Sequence, residues 1–123
     1  MKILESAENY LEAILMVREE KGIVRSIDIV HLLGFSKPSV SIAMKQLETN
    51  NYITRDDTGL ISLTESGEEI ANMIYERHEI LTDVFVSMGV APEIARQDAC
   101  KVEHDISEET FECIKEFHIK NRK

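Results

Sequence analysis

The sequence predicts a mainly α-helical protein, an N-terminal winged helix-turn-helix followed by an all-helical unit. Three observations predict it. Glycine and proline are few, 5 and 2 in 123 residues, so long stretches run without a breaker. Apolar residues recur at helical spacing along most of the chain. One stretch departs from that spacing: Tyr52 and Ile53, then Ile61 and Leu63, are β-formers flanking the turn signal Asp57-Thr58-Gly59.

The first helix is expected over 4–21. Ile3, Leu4, Ala7, Tyr10, Leu11, Ile14 and Leu15 fall on one stripe, and Lys21-Gly22 ends it. Ser26 is expected to cap a second helix with Ile27, Val30 and Leu33 facing inward, closed by Gly34. Phe35-Ser36-Lys37-Pro38 gives a short turn. Ser36 can cap a third helix, and Pro38 fits its first turn. That helix runs to about Asn50 and buries Val40, Ala43, Met44 and Leu47. After the hairpin, Thr64-Glu65-Ser66-Gly67 opens a long helix to about Met88, apolar at Ile70, Ile74, Leu81, Val84 and Phe85, and Gly89 stops it. Ala91-Pro92 starts a helix to about Ile106, and Ser107-Glu108-Glu109-Thr110 starts the last, through Ile119. A short turn at Gly34-Phe35-Ser36 crosses helices two and three steeply, so the third can project into a DNA major groove. The expected division is 1–64 for the winged helix and 65–123 for the helical unit.

Composition narrows the function. Hydrophobic residues make up 43% and charged residues 30%, an ordinary globular mix. No apolar run reaches the roughly 18 residues that suggest a transmembrane helix. The opening MKILESAENY is acidic and lacks a signal-peptide core, so a cytoplasmic, non-membrane protein is expected. With two cysteines and no sign of export, no structural disulfide is expected. Net charge is -9, unevenly spread. Residues 1–64 hold 7 Lys/Arg and 9 Asp/Glu, and residues 65–123 hold 7 and 14. That balance argues against non-specific nucleic-acid binding by the whole chain, but not against a local DNA-binding patch in the first half.

Such a patch is available at the start of helix three. Lys37, Pro38, Ser39, Ser41, Ile42, Lys45 and Gln46 are expected to be exposed there. Ser36, Ser39 and Ser41 carry short hydroxyls that can take phosphate oxygens together with free backbone N–H groups, and Lys37 and Lys45 add charge. Ile42 and Pro38 can touch thymine methyls. A capping turn followed by a solvated face is the plainer alternative, and for Ser36 capping is reason enough. In the wing Arg55 is a phosphate candidate, but Asp56 and Asp57 beside it repel phosphate, so the wing is expected to add little affinity.

A second constellation lies in ACKVEHDIS, residues 99–107, where Cys100, Glu103 and His104 are spaced i, i+3 and i, i+4. On a helical wheel they stand nearly opposite Ile94, Ala95, Val102 and Ile106, and are therefore expected off the core. Three residues cannot fill a metal shell. Asn9 and Glu12, on the polar face of helix one, and His78, followed by Glu79, are candidates for the rest. Mixed oxygen, nitrogen and sulfur donors suit Fe(II), Co(II), Zn(II) or Mn(II), and not Ca(II) or Mg(II). Surface charges with one incidental cysteine would look similar, but an exposed free thiol is otherwise a liability. His31 and His118 lack such company and are expected at the surface or its boundary, and Cys113 is expected to pack on the last helix.

Taken together, the chain resembles the diphtheria toxin repressor family of metal-dependent regulators. The likeness rests on ENYLEAI in helix one, SKPSVSIAMKQLE in the third, LTESGEEIA after the wing, RHEIL in the long helix and CKVEHDIS in the ligand helix. It implies a homodimer, with dimerisation and metal binding in the second unit, a roughly palindromic double-stranded operator, and repression of metal-uptake genes with Fe(II) or Mn(II) as co-repressor. Co(II), Ni(II) and Zn(II) are implied as substitutes in vitro. Cys100 matches a ligand position that is Cys in iron-type members and Glu in manganese-type members. Glu103 and His104 match ligands shared by both, as does His78, in a second or ancillary site. Asn9 falls where the iron type has Met and the manganese type Asp, and Glu12 matches a manganese-type ligand, so the site reads as a hybrid. Arg96 and Thr82 replace the iron type's ancillary His and Glu. Ile42 replaces a polar residue on the DNA-reading helix, so an operator sequence does not carry over. The end at Lys123 suggests the short two-domain form. Rival readings are a small non-haem metalloenzyme and a metal-independent winged-helix regulator. No separate catalytic acid, base or phosphate loop is evident, so the chain is expected not to be an enzyme.

Overall fold

The computed structural model describes residues 5–121, so Ile3 and Leu4 of the expected first stripe lie outside the described residues. The chain divides into two compact units, Met1–Asn72 and Met73–Lys123. The element order is α1 (Glu5–Lys21), α2 (Ser26–Leu33), α3 (Lys37–Thr49), β1 (Ile53–Arg55), β2 (Ile61–Leu63), α4 (Glu65–Ser87), α5 (Pro92–Val102) and α6 (Glu108–Asn121). The division falls inside α4.

In the first unit, Tyr10, Leu11, Ile14 and Leu15 of α1 are buried, as are Ile29 of α2 and Val40, Met44 and Leu47 of α3. Two details of α2 differ from expectation. Its N-cap is Arg25 rather than Ser26: the Arg25 N–H donates to Oδ2 of Asp28 at 2.9 Å, and the Asp28 N–H returns to the Arg25 carbonyl at 3.0 Å. Lys21, 2.5 Å from Asp28, holds that carboxyl below its ordinary range. The inward residue is Ile29, whereas Ile27 is 38% exposed. An eight-residue segment as apolar as SIDIVHLL makes barely two turns, too few for periodicity to choose a face.

The α3 boundaries follow from their caps. Oγ of Ser36 accepts from the Ser39 N–H at 3.3 Å, with Pro38 in the first turn. At the far end Asn51 adopts φ 64°, while the Tyr52 N–H reaches the Leu47 carbonyl at 2.9 Å and the Asn51 N–H the Glu48 carbonyl at 3.1 Å. This left-handed stop turns the chain into the hairpin. β1 and β2 pair antiparallel, Ile53 with Leu63, Thr54 with Ser62 and Arg55 with Ile61. Oδ1 of Asp56 closes the turn by accepting from the Thr58 N–H and hydroxyl and the Leu60 N–H. The Thr58 hydroxyl bond is the main reason the Asp56 carboxyl sits below its usual range. Thr64 then caps α4, its Oγ1 accepting from the Gly67 N–H at 3.1 Å and donating to the Asn51 carbonyl at 2.6 Å.

In the second unit, Gly89 at φ 105° stops α4, with the Val90 N–H on the Phe85 carbonyl. Ile74, Leu81 and Phe111 are buried. α5 ends at Val102, short of the expected Ile106, and its buried stripe is Ala95, Ala99 and Glu103 while Ile94 is 49% exposed. A count of bulky apolar residues passes over a stripe made of two alanines and a carboxylate. Cys113 is exposed, not packed. Phe111 takes the buried position, and two residues on is about 200° around the helix. His31 is exposed, and His118 is half-buried with Nε2 3.7 Å from Asp83. Among the described residues no helix is long and apolar enough to cross a membrane.

Candidate functional site

The end of α5 brings together three of the sequence-derived candidates. Cys100 lies in its last turn, Glu103 caps it and His104 follows in the turn beyond. One donor atom from each lies within 4.8 Å of the others. The expectation that all three face away from the core fails. Cys100 is exposed, but Glu103 is wholly buried and the His104 side chain is 2% exposed.

Burial makes Glu103 informative, because a carboxylate out of water needs compensation. Its Oε1 lies 2.9 Å from Nδ1 of His78, the next candidate, on α4. Among the described residues its Oε2 is buried with no hydrogen-bond partner. Nε2 of His104, at 3.6 Å, is too far to serve as one. An orphaned carboxylate oxygen beside an imidazole and a thiol fits a divalent metal of intermediate softness.

Glu12 and Asn9 stand on α1 in the first unit. α1 is buried continuously from Tyr10 to Leu15, so Glu12 is buried and not on a solvated polar face, while Asn9 is half-buried. Arg77 entered the sequence reading only as the first residue of RHEIL, with no role given to it. On α4 the positions Ile74, Arg77, His78 and Leu81 follow the i, i+3, i+4, i+7 spacing of an inward stripe. Arg77 and His78 thus occupy core positions, and that spacing was the available signal. Arg77 is in fact buried.

On α3 the candidates Lys37, Pro38, Ser39, Ser41, Ile42, Lys45 and Gln46 are all exposed, with Ile42 at 61%. The first turn of α3 has no acidic residue. Its single carboxylate, Glu48, is held by Arg55, whose Nη2 and Nε lie 2.8 and 3.3 Å from Oε1. Arg55 is therefore half-buried and engaged. Ser36 and Ser39 share a hydroxyl hydrogen bond of 2.9 Å. Arg25, which the sequence did not single out, donates from Nη1 to the Thr58 carbonyl at the wing tip at 2.5 Å.

Comparison with known proteins finds a family for each part of the chain. Residues 2–59 match the iron dependent repressor, N-terminal DNA binding domain. Residues 64–120 match the iron dependent repressor, metal binding and dimerisation domain. The chain is 37% identical over 117 residues to the transcriptional regulator MntR of Escherichia coli O157:H7, covering 95% of this chain and 76% of that protein. It is 32% identical over 102 residues to the HTH-type transcriptional regulator MntR of Bacillus subtilis strain 168, covering 83% and 72%. Among solved structures, a manganese-dependent transcriptional repressor in complex with manganese matches with a TM-score of 0.83 at 23% identity, over 91% of this chain and 52% of that one. T. acidophilum IdeR matches with a TM-score of 0.78 at 25% identity, over 94% and 54%. This chain spans about half the length of those two structures.

Proposed function

The chain belongs to the iron dependent repressor family of metal-dependent transcriptional repressors, and from that premise we propose that Cys100, Glu103 and His104 hold the co-repressor ion. The observation that carries this is the buried, unpartnered Oε2 of Glu103 among the converging donors of Cys100 and His104. His78 and Glu12 complete the donor set, with Asn9 as a weaker neutral oxygen. When bound, a divalent ion supplies coordination bonds that replace the missing compensation at Glu103.

In this reading α3 enters the major groove, with Lys37 and Lys45 on phosphates, Ser39 and Ser41 on phosphate oxygens, and Ile42 and Pro38 at base edges. Ser36 caps. Arg55 is engaged by Glu48 and contributes through the wing's shape more than through a phosphate. The partner is a roughly palindromic double-stranded operator bound by a homodimer in the cytoplasm, with half-sites about one helical turn apart. The ion acts only through its differential affinity for the DNA-competent state. Fe(II) is our working metal and Mn(II) the close alternative, with Co(II), Ni(II) or Zn(II) able to substitute in vitro. No catalytic role is assigned. The test is operator binding with chelator, Mn(II) or Fe(II), without oxygen, across a salt series. Binding should require metal and weaken as salt rises. Equal binding in chelator would favour a metal-independent regulator.

A further inference from the structure

Arg77 is a buried cation on α4, 8% exposed, and it serves the turn that carries two of the proposed ligands. α5 ends at Val102, where the Glu103 N–H bonds the Ala99 carbonyl and the Asp105 N–H the Val102 carbonyl, so the carbonyls of Glu103 and Ile106 lie beyond the helix. Nη1 of Arg77 donates to the Glu103 carbonyl at 3.0 Å and to the Ile106 carbonyl at 2.9 Å. His104 lies in the chain between these two anchored carbonyls. The neighbouring residue on α4, His78, holds the Glu103 side chain at 2.9 Å. Consecutive residues of α4 thus hold the main chain and the carboxylate of the same residue. The Phe111 ring of α6, 5.3 Å from the guanidinium carbon, sets the cation's position from the other side.

We propose that Arg77 is a positioning residue for the metal. It touches no ion itself, but it fixes turn 103–106 so that Glu103 and His104 present their donors beside Cys100. The proposal rests on the metal reading above. Both carbonyls are served by one nitrogen, Nη1, and the planar guanidinium lying over the Phe111 ring is what holds that nitrogen in place, a constraint that a flexible ammonium lacks, so lysine is not an equivalent. A role limited to tying α4 to α6 would affect stability but would not single out the ligands.

The test uses Co(II) titrated without oxygen into the full chain, read by the near-ultraviolet thiolate band of Cys100 and the visible bands that report coordination. In Arg77→Met the Co(II) affinity should fall about ten- to a hundredfold, the usual cost of losing an outer partner of a metal ligand, and the visible bands should change. Arg77→Lys, which keeps the charge but loses the planar group over Phe111, should lie between. Leu81→Ala, buried one turn further along α4, should lower the melting temperature while leaving affinity and spectrum unchanged. Wild-type affinity and spectrum in folded Arg77→Met would overturn the proposal. If that variant fails to fold, the same result in Arg77→Lys would do so. A wild-type chain that shows no Co(II)–thiolate band would overturn the metal reading itself, and this proposal with it.

Discussion

Nδ1 of His78 lies 2.9 Å from Oε1 of Glu103, a carboxylate removed entirely from solvent. With Glu103 ionised, Nδ1 carries the proton and donates, which leaves Nε2 of His78 with a free lone pair. The same contact fixes the ring and satisfies one carboxylate oxygen. A carboxylate–imidazole pair of this kind is the usual way a metal ligand is oriented by its neighbour.

The first prediction follows from that pair. Glu103→Gln removes a buried charge while keeping the side chain's size, so the fold should survive. Tight Mn(II) or Fe(II) binding should be lost, as it should in His104→Ala. His78→Gln should weaken binding by about ten- to a hundredfold. Anaerobic calorimetry measures all three, and wild-type affinity in Glu103→Gln would remove the site's central residue from the assignment.

Metal choice turns on Cys100. Thiolate is softer than carboxylate and should favour Fe(II), Co(II) or Zn(II) over Mn(II), while Glu12 adds a hard oxygen that pulls the other way. Cys100→Glu should raise Mn(II)-activated operator binding relative to Fe(II)-activated binding, compared side by side without oxygen. An unchanged ratio would mean that Cys100 does not set selectivity.

Gly67 supports the joint between the wing and α4. A Cβ built there would lie 2.0 Å from the Tyr52 carbonyl oxygen, a backbone atom with no rotamer to escape into. Gly67→Ala should therefore destabilise the first unit, by about 1–3 kcal/mol if overpacking sets the scale. Urea denaturation should show the shift, and unchanged stability would mean that α4 starts without this close approach.

The helices and the hairpin were legible because their caps and turns are local. Ser36-x-Pro38, Asn50-Asn51 and Gly89 each act on backbone within a few residues. The faces were less legible. Glu12, Arg77 and Glu103 are charged residues at buried positions, and a hydropathy wheel assigns charge to solvent by construction. Ligand spacing found Cys100, Glu103 and His104, since one helical turn is enough to bring them together. It could not find that His78, 25 residues earlier, pairs with Glu103, because that contact depends on how α4 and the end of α5 pack.

The last prediction concerns the base that Ile42 meets. Ile42 is 61% exposed on a helix whose inward face is already filled by Val40, Met44 and Leu47. Its exposed neighbours Lys37, Ser41, Lys45 and Gln46 carry no negative charge, in a chain whose net charge is -9. A lone aliphatic side chain set among basic and neutral polar residues suits a major groove, where the C5-methyl of thymine is the apolar feature to touch. Burying one methyl is worth roughly 0.8 kcal/mol, or about fourfold in affinity. Replacing the contacted thymine by deoxyuridine should thus weaken wild-type binding about fourfold. Ile42→Ala should weaken thymine binding and erase the thymine–uracil difference, while leaving the salt dependence unaltered. Lys45→Ala should do the reverse, lowering the salt slope by about one and keeping the base preference. If no single thymine-to-uracil change in a bound operator affects the wild type, Ile42 reads no methyl and its exposure has another cause.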